Sequence, residues 1–279
     1  MTAKRLMTWD DLLSRPRPNP THTIQWGPGT TDVADLWLPE GAGPRPVVLM
    51  VHGGCWQKSI ADRTLMNYAA EELRTNGLAV WNIEYRGVDE DGGGYPGTFL
   101  DVARAADALR DQAATYNLKT DRIVAFGHSA GGHLALWLAG RHNLPASSPL
   151  RMNNPLKITG VVNSGGLADL KASAPVTQPE CLSRIMGKLT GEVSSTRSNV
   201  FSDTSPVELL PLGARQVSVN GHRDLIAPQV LGEGYTRKAK AAGDNAEVIV
   251  VLNTGHVELV APGTEAFNTE MAKLKEMLR

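Results

Sequence analysis

What this chain lacks narrows it before any motif is read. Two cysteines in 279 residues, Cys55 and Cys181, are too few for a disulfide framework and lack the paired spacing of a zinc site. A formal net charge of −1, with no block of five or more like charges, leaves no basic face for nucleic acid. No apolar run reaches membrane-spanning length, and the opening stretch from Met1 to Asp10 turns acidic where a signal peptide would carry its apolar core. There is no internal repeat and no low-complexity segment. These absences point to a soluble cytoplasmic protein whose partners are small molecules, without nucleic acid, membrane, metal or cofactor. They leave its oligomeric state open.

What is present is enough apolar residue, 42%, to bury a large core. Residues 46–52 form a continuous apolar run without alternation, the pattern of a strand covered on both faces. Helix then strand recurs from there: a helical stretch at 64–75 closed by Asn76-Gly77, a strand at 78–83, a helix at about 97–116, a strand before Ser129, and a helix after it. Further strands are expected at 157–162, 216–220 and 246–252, with helices at about 228–242 and 265–278. Alternation of this kind implies right-handed βαβ crossovers and a mostly parallel sheet. Upstream, residues 21–26 and 32–38 read as two edge strands around a Gly27-Pro-Gly-Thr30 turn, and a short helix opened by Thr8 reads as peripheral. Residues 166–212 break the rhythm. They are rich in Ser, Thr and Pro with one convincing helical piece at 181–189, and are read as a small irregular cap inserted into a single α/β domain spanning 1–279, with about eight strands and helices on both faces.

The chemistry centres on Gly127-His-Ser-Ala-Gly131, which joins a β-branched strand to a helix. In a G-x-S-x-G turn the serine takes a strained conformation that lifts its hydroxyl above the carboxyl edge of the sheet. A serine hydroxyl is a weak nucleophile at neutral pH and needs a base that is itself oriented by a third group. Of seven histidines, His256 follows the last strand, and the order Ser, acid, His is the one this architecture uses. Asp224, after the penultimate strand, is the candidate acid, and Asp169, after the preceding strand, is its rival. An oxyanion needs unobstructed backbone N–H groups. His52-Gly53-Gly54-Cys55-Trp56 leaves the central strand where such a loop belongs, with Gly53, Gly54 and the Ala130 N–H as donors. Cys55 reads as a small space-filler, and Trp56 as a residue either packing or lining an acyl pocket.

On these motifs the chain resembles the α/β-hydrolase superfamily from about Thr21 to the last helix. His52-Gly-Gly-Cys-Trp56 together with Gly127-His-Ser-Ala-Gly-Gly-His133 is similar to the esterase and kynurenine formamidase (arylformamidase) group. The hormone-sensitive-lipase group is a poorer match, having a third glycine in place of Cys55 and an acidic residue in place of His128. The resemblance implies an α/β-hydrolase fold, a triad of Ser129, Asp224 and His256, and an oxyanion site at Gly53, Gly54 and Ala130. It implies a cofactor-independent serine hydrolase acting on a small-molecule ester, of carboxylesterase type. Two alternatives stand beside that: an arylformamidase acting on N-formyl aryl amides, and a non-catalytic binding protein on the same fold. Cys55 and Trp56 are the expected substrate contacts.

Overall fold

A computed structural model describes residues 5–179 and 181–279. Residues 1–4 of the opening stretch, and residue 180 of the expected cap, lie outside the described residues. The apolar runs form an eight-stranded sheet: β1 (His22–Gln25), β2 (Val33–Trp37), β3 (Arg45–Val51), β4 (Ala79–Ile83), β5 (Leu118–His128), β6 (Gly160–Ser164), β7 (Arg215–Gly221) and β8 (Ala246–Val251). Their order across the sheet is β1-β2-β4-β3-β5-β6-β7-β8. The pairs from β4 to β8 are parallel, and β1 and β2 run antiparallel at one side. This is the α/β-hydrolase fold.

The helices are α1 (Trp9–Leu13), α2 (Asn67–Thr75), α3 (Gly97–Ala113), α4 (Ala130–Gly140), α5 (Leu170–Ser173), α6 (Met186–Thr190), α7 (Gln229–Ala241) and α8 (Glu265–Leu278). They cover both faces, so the strands β3, β4 and β6 are buried along almost their whole length. On one face Trp81, Phe99, Leu134 and Trp137 pack with α3 and α4; on the other Val48, Met50, Phe126 and Phe267 pack with α2 and α8. Covering both faces of a parallel sheet is why its strands read as unbroken apolar runs.

Four expectations are corrected. β2 is not an edge strand: it pairs with β1 on one side and β4 on the other, and all five of its residues are buried. The strand expected at 157–162 begins and ends later, at Gly160–Ser164. The cap helix expected at 181–189 is shorter and later, Met186–Thr190, because Cys181 to Ile185 are turns whose N–H groups reach back to Gln178 and Leu182 carbonyls. Finally, α1 is not peripheral. A capping box of Thr8 and Asp11 starts it, and the Met7 N–H donates to the Glu258 carboxylate at 2.6 Å, pinning the segment over the loop after β8.

Candidate active site

At the carboxyl end of β5 the chain turns into α4 through Ser129, whose φ of 54° and ψ of −120° lie where few side chains are tolerated. The glycines on either side make that turn possible. A Cβ on Gly127 would collide with the Gly131 carbonyl, and one on Gly131 with the carbonyls of Val51 and His52. α4 can therefore cross β3 in backbone contact, with all of its residues buried. The Ser129 N–H is tied to the Ser164 carbonyl at 2.8 Å, which anchors the turn to the end of β6. Ala130, at the first position of α4, has one of the N–H groups that no intrahelical acceptor reaches.

His256 and Asp224 meet beside this turn. The His256 Nδ1–H donates to Asp224 Oδ2 at 2.6 Å, both side chains being almost wholly buried. The other oxygen, Asp224 Oδ1, accepts from the N–H groups of Ile226 (2.8 Å) and Ala227 (3.0 Å). Burial alone would push the Asp224 carboxyl up. The charge and hydrogen bond of His256, with those two backbone donors, more than offset it and hold Asp224 below the usual carboxylate range. An ionised Asp224 fixes the imidazole with its proton on Nδ1 and its Nε2 lone pair free. Asp169, the rival acid, is elsewhere: it caps α5 through Ala172 and is ion-paired to Lys238 at 2.6 Å.

The loop after β3 lies against the serine. A Cβ on Gly53 would come within 2.9 Å of His128 Nδ1 and 3.2 Å of Ser129 Cβ, so no larger residue fits. Beyond it Cys55 and Trp56 take positive φ values of 51° and 54°, strained for non-glycine residues. Several groups hold that geometry, and of them only His52 is part of a motif legible in the sequence. His52 offers one ring nitrogen to the Gly53 carbonyl (2.7 Å) and the other to Glu84 (2.8 Å), and stacks on Tyr85 at 4.2 Å. Lys58 pairs with the second Glu84 oxygen at 2.6 Å, and His52 first, then Lys58, hold Glu84 below the usual carboxylate range against the opposing effect of burial. Asp89 accepts from the N–H groups of Lys58 and Ser59. The one signal in the sequence is that His52 and Glu84 each follow directly on one of two apolar runs that turn out to be the neighbouring strands β3 and β4.

Two substrate contacts expected from sequence fare differently. Trp56 does not line the pocket: it is fully buried, and its indole N–H donates to His133 Nδ1 at 3.2 Å. His133 in turn donates to the Thr204 carbonyl at 2.8 Å, and burial lowers its pKa to about 4, so it is a neutral core residue. Cys55 does border the pocket, but as half of a disulfide with Cys181. It is not a free space-filler. The bridge staples the Gly53-Gly54 loop to the segment between β6 and β7, across 126 residues of sequence. Stable bridges belong to oxidising surroundings, which counts against the cytoplasmic expectation. Among the described residues no helix is long and apolar enough to cross a membrane.

Ser129, His256 and Gly54 open onto one cavity of about 390 Å³. Its walls are largely apolar: Trp9 and Leu13 from α1, Ile60 and Leu65, the Cys55–Cys181 bridge, and Ile226, with Gln178 as the polar exception. His128 lines the same cavity. Its Nε2–H donates to the His256 carbonyl at 3.2 Å, and burial, with the neighbouring His256 ring, keeps it neutral. A larger hollow of about 460 Å³ near Arg197 is polar, and its charges are already matched, with Arg197 bound to Asp203 at 3.0 Å and stacked over Tyr95.

With this geometry in view, residues 34–228 match the family model described as BD-FAE. The chain belongs to the BD-FAE family. The matched stretch contains the Gly53-Gly54 loop, Ser129 and Asp224, and leaves out His256 and the segment carrying Trp9. Among curated relatives, the probable carboxylic ester hydrolase LipM of Mycobacterium tuberculosis is 24% identical over 231 residues, covering 80% of this chain and 52% of that protein. The probable isoprenylcysteine alpha-carbonyl methylesterase ICMEL1 of Arabidopsis thaliana is 29% identical over 119 residues, 42% of this chain and 24% of that protein. The chain thus spans about half the length of the first of these relatives and about a quarter of the second. In structure, it is similar to esterase B of Lactobacillus rhamnosis (TM-score 0.77, 18% identity, 95% of this chain and 88% of that one). It is also similar to a propionate-bound esterase of Thermogutta terrifontis (TM-score 0.72, 18% identity, 95% and 96%). At such identities the likeness is one of fold.

Proposed function

We propose that this BD-FAE member is a serine hydrolase that cleaves carboxylic esters with short acyl groups through an acyl-serine intermediate. The observation that carries the reading is the 2.6 Å Asp224–His256 pair opening, with the strained Ser129, onto one apolar cavity. A binding protein has no use for a buried, ionised carboxylate that fixes an imidazole tautomer beside a strained serine.

In this reading Ser129 Oγ attacks the acyl carbon while its proton passes to His256 Nε2. The carbonyl oxygen becomes an oxyanion, met by N–H groups of the Gly53-Gly54 loop and of Ala130, each worth roughly 3 kcal/mol in comparable sites. As the tetrahedral adduct collapses, the bond to the leaving alcohol breaks and His256 returns the proton to that oxygen. A water molecule then gives its proton to His256 and its oxygen to the acyl carbon, releasing the acid and regenerating Ser129. Asp224 stabilises the imidazolium in both halves. The cavity supports short acyl groups: its apolar walls enclose about 390 Å³, and the neighbouring hollow that shares Leu13, Ile60, Ala61 and Leu65 with it is lined beyond them by Arg17, Lys58, Asp62 and Thr64, which do not suit a long acyl chain. LipM, named as a probable carboxylic ester hydrolase, and the propionate-bound neighbour support ester chemistry of this kind. The formamidase alternative keeps its motif resemblance but loses Trp56 as a substrate contact, because that ring is in the core.

The test is a panel of p-nitrophenyl acetate, butyrate and palmitate, with N-formylkynurenine, against the wild type and Ser129→Ala. We expect kcat/KM for acetate or butyrate at least tenfold above palmitate, and no turnover by Ser129→Ala. Efficient palmitate hydrolysis would defeat the short-acyl reading, and formamide turnover exceeding ester turnover would restore the alternative.

A further inference from the structure

The N-terminal segment belongs to the substrate site. Trp9 and Leu13 project from α1 onto the cavity that holds Ser129 and His256. The Trp9 ring is edge-on to the rings of His128 and His256, with centroids 6.0 and 6.5 Å away. The Trp9 side chain is half-buried, packing against the core and also lining the cavity, whereas Leu12, about one turn further along the same helix, is fully buried in the core. A single carboxylate couples this wall to the candidate base. Glu258 accepts from the Met7 N–H through Oε1 at 2.6 Å and from the Gly255 N–H through Oε2 at 3.0 Å. Gly255 immediately precedes His256. Arg15 bonds the Pro262 carbonyl at 3.2 Å, and the Tyr68 hydroxyl reaches the Arg15 carbonyl at 3.3 Å, so both ends of the segment are tied down.

We infer that Trp9 is a specificity-determining residue: its indole, with Leu13 beside it, is the wall against which a compact apolar group of the ester packs, directly above His256. An aromatic wall gives a large contact area with few rotatable bonds, so an apolar group gains affinity at low entropic cost. The inference rests on the proposed ester hydrolysis, but binding can be measured without turnover.

The decisive comparison titrates p-nitrophenyl butyrate into Ser129→Ala, Ser129→Ala with Trp9→Ala, and Ser129→Ala with Trp9→Phe. In parallel, kcat and KM are measured for Trp9→Ala and Trp9→Phe with Ser129 intact, and thermal melts check that each variant folds. We expect Trp9→Ala to weaken butyrate binding and raise KM about tenfold, with a smaller effect on kcat, and Trp9→Phe to recover most of the loss. The inference is overturned if Trp9→Ala leaves Kd and KM unchanged, if it lowers kcat alone, which would make Trp9 a support for the His256 loop only, or if Ser129→Ala binds no butyrate ester. Should the wild type hydrolyse no ester while Ser129→Ala still binds one in a Trp9-dependent way, the esterase reading falls and the wall stands.

Discussion

Ser129 and Trp9 face the same cavity, yet the chain holds them by opposite means. Ser129 is gripped by residues adjacent in sequence and by the sheet beneath: Gly127 and Gly131 clear the turn, α4 buries behind it, and β6 accepts its N–H. Trp9 rides on a five-residue helix held by a few hydrogen bonds to groups 53 to 251 residues away, those from Met7, Arg15 and Tyr68. The proposed nucleophile's setting is local and over-determined. The cavity wall is assembled at long range from single contacts. Substitutions at the floor should therefore stop the chemistry, and those at the rim should change what the chemistry acts upon.

The largest effect that would sharpen this contrast is on the floor. Asp224→Asn removes the carboxylate that selects the imidazole tautomer, and kcat should fall by about four orders of magnitude, as in comparable triads. Asp169→Asn keeps an acceptor for the Ala172 N–H and loses only the ion pair with the exposed Lys238, and should change kcat little. Steady-state kinetics of the two variants decide the matter, and a reversed outcome would move the acid to the residue after β6.

Between floor and rim lies the Cys55–Cys181 bridge, which joins the Gly53-Gly54 loop to the segment between β6 and β7. Cys181→Ser should cost about 2–4 kcal/mol of stability, read by denaturant unfolding. It should also lower kcat, because Cys55 and Trp56 hold strained positive φ values next to the proposed oxyanion donors. Loss of stability with full activity would show that the loop keeps its shape unaided and that the bridge serves the rim alone.

A smaller, pH-dependent effect comes from beneath the floor. Glu270, on α8, is fully buried near the Ser164 hydroxyl, and burial raises its carboxyl well above the usual range. The folded state therefore holds a proton that the unfolded chain releases near pH 4. Below that pH both states are protonated and nothing is lost. As pH rises above it, stability falls by up to about 1.4 kcal/mol per pH unit until the folded carboxyl ionises. Glu270→Gln, which cannot ionise, should be indistinguishable from wild type at pH 4 and more stable at pH 7 to 8. A difference independent of pH would mean that Glu270 titrates normally.

Legibility from sequence followed the same division. Unbroken apolar runs marked the buried parallel strands, because covering a sheet on both faces leaves no alternation. The Gly127-to-Gly131 turn, and the positions of Asp224 and His256 after β7 and β8, could be placed because each depends on which strand it follows. Trp56 stays open between packing and lining in the sequence because adjacency to the glycine loop says nothing of direction; with positive φ values at Cys55 and Trp56 the ring lies in the core. The cysteine pair was read as free because no pattern links positions 126 apart until the fold brings their Cα atoms to 4.8 Å. α1 looked peripheral for the same reason: its reach to Glu258 crosses almost the whole chain.

The central claim, that Ser129 is the nucleophile of this cavity, is tested most directly by treating the folded protein with a fluorophosphonate and locating the adduct by peptide mass spectrometry. We predict one adduct, on Ser129, with ester turnover lost in proportion to labelling. Ester turnover that persists with Ser129 fully labelled, or an adduct on another residue that tracks the loss, would contradict it.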